Sequence, residues 1–250
     1  MPPLFATLRF LNHRSLPADG AWNMACDEAL LKTLEPGEPP ILRVYRWDRP
    51  TLSFGYFLKY ADAIAAAGAE ESVIRRWTGG GLVHHGRDFT WSLLVPRSHA
   101  FAQVRPAESY GQLHGAVAGA LSGLGMGGAV VVPADSPAPR AGLCFEAPAP
   151  GDLLLHGRKI AGAGQRRTRQ GLLHQASLCL PAVRPPEQNQ DQPGNHPRSS
   201  PGPVPAPGLL EKLGDLLSRQ LGAEVLPFCL PHDLEIPRSR YADPDWNTRI

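Results

Sequence analysis

The chain has little that would commit it to a membrane, an export route or a polyanion. No apolar run approaches the roughly 20 residues that span a bilayer. The opening "MPPLFATLRFLNHRS" lacks a basic head followed by a long apolar core, so no secretory signal is expected. Charge is scarce: 19% of the 250 residues are charged and the net charge is only +2, too little to argue for nucleic acid or an anionic lipid surface. The four cysteines, Cys26, Cys144, Cys179 and Cys229, form no CxxC or other metal-ligand spacing. No metal site is therefore expected, and free thiols in a cytoplasmic protein are the natural reading.

Glycine and proline, by contrast, are plentiful, at 26 and 27 residues. The prolines crowd into "RPPEQNQDQPGNHPRSSPGPVPAPG", Arg184 to Gly208, which has almost no apolar side chains to bury and reads as a flexible insert. Hydrophobic residues make up 42%, enough for one globular domain over residues 1–250 with this insert within it.

Periodicity sketches the elements. "DGAWNMACDEALLKTL" spaces Met24, Leu30, Leu31 and Leu34 as a helix, with Asp19 placed to cap it. "ILRVYRW" (Ile41–Trp47), "TLSFGYF" (Thr51–Phe57), "SVIRRW", "DFTWSLLVP" (Asp88–Pro96) and "AVVVP" read as strands. "YADAIAAAGAE", "SYGQLHGAVAGALSGLG" and "GLLEKLGDLLSRQLG" read as helices, the last strongly amphipathic. "GDLLLHGRKIAGAGQRRTRQGLLHQASLCLP" predicts three meandering strands with turns at His156-Gly157 and near Gln170-Gly171. Strands and helices do not alternate regularly. This points to an α+β fold, a mixed sheet with helices packed to one side.

Two stretches carry chemistry. In "RRWTGGGLVHHGRDFTWS" three consecutive glycines follow two arginines. Ordered glycines cost backbone entropy, and their amides can form a nest for an oxygen-rich group, with Arg75, Arg76 and Thr78 alongside. The spacing is neither GxxxxGK[ST] nor GxGxxG, and a plain glycine-rich turn with solvated arginines would look the same. In "GDLLLHGRKIAGAGQRR" a single lysine, Lys159, sits among small residues that would let a substrate lie flat while the ammonium grips an oxygen. Of the adjacent His84 and His85, only one can face a cleft. His174 reads as a satisfied strand histidine, and Arg166, Arg167 and Arg169 as a solvated strand end or a docking patch for an acidic partner.

Together these stretches resemble the catalytic domain of the biotin/lipoate protein ligase superfamily, in its lipoate ligase and octanoyltransferase branch. "WNMACDEALL", "LRVYRWDRPTLSFGYF" and "RYADPDWN" extend the resemblance over nearly the whole chain. It implies a class II synthetase-like or biotinyl-lipoyl ligase-like domain with a largely antiparallel mixed sheet and flanking helices. It also implies a substrate-binding role for Arg75, Arg76, Thr78, Gly79, Gly80, Gly81 and His85, with Lys159 at the reacting end beside Gly157, Ala161 and Gly162. Gly86 stands where the family often has aspartate, Gly164 where alanine is common, and Ala176 where glycine is usual.

The resemblance admits two chemistries. A transferase takes octanoyl, or lipoyl, from acyl carrier protein onto a cysteine and passes it to a lysine of a lipoyl domain or glycine cleavage H protein, without a cofactor. A ligase activates the free acid with ATP and Mg. Cys144, fifteen residues before Lys159 in "GLCFEAPAPGDLLL", lies where the resembling octanoyltransferases carry their nucleophile. A nearby ammonium would lower its pKa, though a free cysteine is often simply packed. The chain ends about thirty residues after its last amphipathic helix, which leaves no room for a ligase's accessory domain unless a separate subunit supplies it. The transferase is thus the expected activity, with the ligase and a non-catalytic acyl-binding protein as alternatives; biotin ligation fits the "RRWTGGG" loop less well.

Overall fold

The computed structural model describes residues 2–136, 148–180 and 208–249. An eight-stranded sheet, in the order β11-β1-β2-β6-β10-β9-β8-β7, forms its frame. The strands are β1 (Phe5–Ala18), β2 (Ile41–Trp47), β6 (Phe89–Pro96), β7 (Ala129–Val131), β8 (Leu153–Leu155), β9 (Arg158–Arg167), β10 (Gly171–Leu178) and β11 (Gly222–Pro227). β1 runs parallel to both β2 and β11, and every other pairing in this sheet is antiparallel. A second, three-stranded sheet joins β4 (Ser72–Arg75), β3 (Thr51–Phe54) and β5 (Leu82–His85) in that order. The mixed, largely antiparallel architecture is the one expected.

The placement of the helices is a correction. Helices α3 (Pro106–Gly123) and α4 (Leu209–Leu221) cover one face of the large sheet, burying Leu113, Val117, Leu213 and Leu217 against Leu42, Val44, Trp91 and Leu93. Helices α1 (Gly20–Thr33), α5 (Arg238–Ala242) and α6 (Pro244–Thr248) cover the other, where Met24, Leu31, Tyr241 and Trp246 meet Ile41, Tyr45 and Leu94. Helices on one face only would not suffice, because β6 and β10 are buried at every residue and a strand buried on both faces needs two covers.

Local signals explain most elements. Asp19 caps α1 by accepting from the Trp22 amide at 2.8 Å, and Pro106 opens α3 where a missing N–H does no harm. His156 (φ 50°) and Gly157 (φ 76°) make the two-residue turn between β8 and β9, both in the left-handed region that such hairpins need. β3 is shorter than the seven residues read from sequence, ending at Phe54. The chain turns away at Gly55, where a side chain would stand 1.9 Å from the Gly80 carbonyl oxygen. The Pro-rich stretch lies outside the described residues except for Gly208, which precedes α4 with φ 77°. α2 (Tyr60–Ala66) packs over the small sheet.

Candidate active site: the glycine loop and the lysine strand

The glycine loop runs between β4 and β5 and lies directly on β9. A side chain at Gly164 would stand 2.4 Å from the Gly79 carbonyl oxygen and 3.0 Å from Thr78 Oγ1. With Gly55 closing from the other side, the loop is gripped between two backbones, each approachable because it carries no Cβ. Within the loop, Gly80 adopts φ 97°, a conformation that favours glycine, whereas a Cβ on Gly79 would meet nothing within 4 Å. The steric need for glycine therefore falls largely on the loop's partners. Among the described residues, the amides of Gly79 and Gly80 donate to no acceptor.

Both arginines turn toward the protein. Arg75 is fully buried; its guanidinium donates to the carbonyls of Tyr56 and Leu58, each at 2.7 Å, and of Asn247, and lies 4.5 Å from the Phe54 ring centroid. Asn247 Oδ1 accepts from the Arg75 amide, and Trp246 donates to its carbonyl, so the C-terminal helix α6 is stapled to the root of the loop. Arg76 donates to Ser53 Oγ at 2.7 Å and to the carbonyls of Gly79 and Gly81, the latter at 2.8 Å. Guanidinium donors thus draw loop carbonyls inward.

Thr78 and His85 each begin a buried polar chain. Thr78 Oγ1 donates to Gln175 Oε1, Gln175 Nε2 donates to Asp27 Oδ2, and Asp27 pairs with Arg43 at 2.7 Å with neither side chain exposed. Ser92 also donates to Asp27, Asn23 accepts from Arg43, and the Tyr45 ring lies 4.0 Å from its guanidinium carbon. His85 stacks on Trp47 at 4.1 Å and bridges Ser53 Oγ (2.6 Å) and Asp88 Oδ2 (2.7 Å). Burial alone would raise the Asp88 pKa, but His85, Ser177 and Thr90 outweigh it and hold the carboxyl far below its usual range. His84, on the other face of β5, is exposed and meets Glu71, as strand alternation requires.

On β9, Lys159 Nζ lies 2.7 Å from Asp152 Oδ2, both side chains almost fully buried. The lysine crosses over Gly162, where a Cβ would stand 3.0 Å from Lys159 Cε. Asp152 also accepts from the Ala149 amide at 2.7 Å, which ties the segment entering β8 to the same carboxylate. Ala161 is buried in the apolar cluster beneath α3 and α4. The site thus brings together the glycine loop, Gly162, Gly164 and Lys159 along one strand. Cys144 lies outside the described residues.

The remaining expectations divide. His174 is fully buried beside Trp91, Tyr110 and His114; its Nδ1 meets Gln165, but its Nε2 has no partner among the described residues. Burial, then the neighbouring His114, pushes its pKa well down, so it is a neutral core histidine. Arg167 donates to the Ala102 carbonyl and Arg166 to that of Trp77, with Arg166 also lying between the Tyr56 and Trp77 rings; of the three arginines only Arg169 is exposed. Cys26 is buried in α1, and burial pushes its thiol up to about 11. Sequence reasoning missed Asp27, Arg43, Ser53, Asp88, Asp152 and Gln175. A signal existed for several: Arg43, Ser53 and Gln175 are polar residues flanked by apolar ones in the strand-like runs ILRVYRW, TLSF and GLLHQASL.

Comparison with known proteins places this geometry. Residues 19–182 match the family described as Lipoyl protein ligase A/B catalytic domain. The octanoyltransferase LipM of Oceanobacillus iheyensis is 39% identical over 170 residues, which cover 66% of this chain and 61% of that protein. The LipM proteins of Geobacillus kaustophilus and Staphylococcus aureus are 36% and 35% identical, each over 182 residues, 69% of this chain and 65% of theirs. The chain therefore spans less than two thirds of the length of these relatives. Among solved structures, lipoate-protein ligase A bound with ATP superposes with a TM-score of 0.68 at 19% identity, over 98% of each chain. The bi-partite lipoate protein ligase of Thermoplasma acidophilum superposes at 0.63 and 19% identity, over 98% of this chain and 96% of that one. These likenesses show the fold. Among the described residues no helix is long and apolar enough to cross a membrane.

Proposed function

The chain belongs to the lipoyl protein ligase A/B catalytic-domain family, and from that premise we propose that it is a protein acyltransferase moving an octanoyl or lipoyl group from acyl carrier protein to a lysine of a lipoyl domain or glycine cleavage H protein. The observation that carries this reading is the joint placement of Lys159, Gly162 and the glycine loop along β9, in a chain whose relatives are named octanoyltransferases. In the first half-reaction the Cys144 thiolate attacks the donor thioester carbonyl. A new carbon–sulfur bond forms, the donor's breaks, and the carrier thiol leaves and takes up a proton. In the second, the neutral amine of the acceptor lysine attacks the acyl-enzyme, an amide forms, the amine loses a proton and the Cys144 thiolate is released. No cofactor is consumed.

Direct contact with the acyl carbonyl falls to the Lys159 ammonium and the Gly79 to Gly81 backbone, which stabilise negative charge as it develops on oxygen. Gly162 and Gly157 leave room for Lys159 and the substrate beside it, and Ala161 shapes the wall from below. Arg75, Arg76, Thr78 and His85 hold the loop in place. Asp152 fixes where the ammonium rests. Localisation in the cytoplasm follows from this reading of donor and acceptor.

A second reading is favoured by the likeness to lipoate-protein ligase A bound with ATP and to a bi-partite ligase. On it, the site would form an acyl-adenylate from the free acid with ATP and Mg, aided by a separate subunit. Intact mass after incubation with octanoyl-acyl carrier protein decides between them. An octanoyl adduct on the native protein that is absent from Cys144→Ala is the expected result. Absence of an adduct from both, with ATP-dependent acylation of a lipoyl domain, would install the ligase instead.

A further inference from the structure

We infer that Ser53, in the middle of β3, is a positioning residue that sets the glycine loop through a single directed line of hydrogen bonds running from Asp88 through His85 and Ser53 to Arg76. The inference rests on reading the glycine loop as the acyl site. All four side chains are buried, and the links measure 2.7 Å, 2.6 Å and 2.7 Å. Arg76 continues the line to the carbonyls of Gly79 and Gly81.

The direction of each bond follows from what each group can do. A guanidinium only donates, so Ser53 Oγ accepts from Arg76. The serine's one hydrogen must then go to His85 Nε2, the other polar atom bonded to it. That requires a lone pair on Nε2 and places the ring proton on Nδ1, where the Asp88 carboxylate accepts it. Asp88 is itself fixed by donors from Thr90, Ser177 and the Gly86 amide. The opposite tautomer would leave two donors facing each other at Nε2 and Ser53, and a doubly protonated ring would leave the serine hydrogen without an acceptor while a second cation faced Arg76. The line therefore has one consistent protonation pattern. It holds Arg76 where its Nη2 can draw the Gly79 and Gly81 carbonyls inward, which, across the planar trans peptide that follows Gly79, turns the Gly80 amide the other way. Ser53 itself touches no substrate. Its hydroxyl is the only part of it the relay uses.

The test begins on the native protein. Nitrogen-15 NMR of the imidazoles at neutral pH, with His85 assigned by its substitution, should show the proton on Nδ1 and an unprotonated Nε2. A proton on Nε2 overturns the relay outright. Ser53→Ala should then move the amide signals of Gly79 to Gly81 and weaken binding of octanoic acid by about tenfold, as expected for losing a hydrogen bond to a charged group. Ser53→Thr, which keeps the hydroxyl, should recover both. Unchanged loop signals and unchanged octanoate affinity in Ser53→Ala would refute the positioning role. Loss of transferase activity as a reading would leave the tautomer and loop signals as they are, so the two failures are told apart.

Discussion

The two faces of the large sheet are built from the same strands yet follow opposite rules. Under α3 and α4 the inward residues of β2 and β6, Leu42, Val44, Trp91 and Leu93, meet leucines and alanines, and stability there is a matter of apolar area and packing. One residue along each strand, the opposite face presents Arg43 and Ser92 to Asp27 of α1, and Thr90 to Trp47 and Asp88. These groups are as deeply buried as the leucines, and they persist because each finds a partner. Apolar clusters on both the dry face and the wired one hold the domain together, but the wired face also transmits position from α1, through Asp27 and Gln175, to Thr78 in the loop. A buried ion pair such as Arg43–Asp27 is weak evidence of added stability, since desolvation offsets most of its attraction. Its value here is geometric.

Removing one partner on the wired face gives the largest expected effect. Asp27→Ala leaves the Arg43 charge buried without its counter-ion and strips acceptors from Gln175 and Ser92. The loss should be about 3–5 kcal/mol, read from the chemical denaturation midpoint. Because Gln175 then loses the bond that orients it toward Thr78, acyl binding should weaken as well. Leu217→Ala on the dry face should cost a comparable or smaller amount, about 2–5 kcal/mol for a cavity in a close-packed cluster. In the folded fraction, however, its acyl affinity should match that of the native protein. Equal loss of affinity in both variants would show that the faces are not separable and that binding tracks stability alone.

How much of this could be read in advance depends on the reach of each interaction. The Asp19 cap, the α4 leucine stripe and the His156-Gly157 turn are local, and each was legible. Strand alternation separated His84 from His85, and the family resemblance picked His85 as the inward one. The double cover of the sheet was missed because Thr90, Ser92, His174, Gln175 and Ser177 interrupt β6 and β10, so neither shows the continuous apolar run that announces a strand buried on both faces. For Arg75 the resemblance implied a substrate-binding role, and the sequence offered no partner within the fold. Its partners within the fold, the Tyr56, Leu58 and Asn247 carbonyls, include one 172 residues away that no local pattern announces. Asp152 and Lys159 stand close in sequence, but they meet beside an irregular register in the β8–β9 pairing, and spacing alone does not show it. β1, β11, α5 and α6 were not assigned at all; the last three are short and β1, though fourteen residues long, has an irregular burial pattern, so these elements are stabilised by what they pack against, not by their own periodicity.

The smallest effect expected sharpens the same comparison by pH. His13 Nδ1 accepts from Arg43 Nε at 3.3 Å, which requires an unprotonated nitrogen. Burial, and then the Arg43 charge, lower its pKa to about 4. In the unfolded chain the ring titrates near 6.5. Between pH 6.5 and 4 the unfolded state therefore binds more protons, so stability is fully present above the upper value and declines as pH falls through that window. On the dry face, buried His174 and His114 have pKa values shifted in the same direction and add to the same decline. His13→Gln, whose amide oxygen can still accept from Arg43, should make the fall in melting midpoint across the window shallower by about 2–4 °C without abolishing it. An unchanged slope would mean that the acid sensitivity belongs to the histidines under α3, and that Arg43 is held by Asp27 and Asn23 without help from His13.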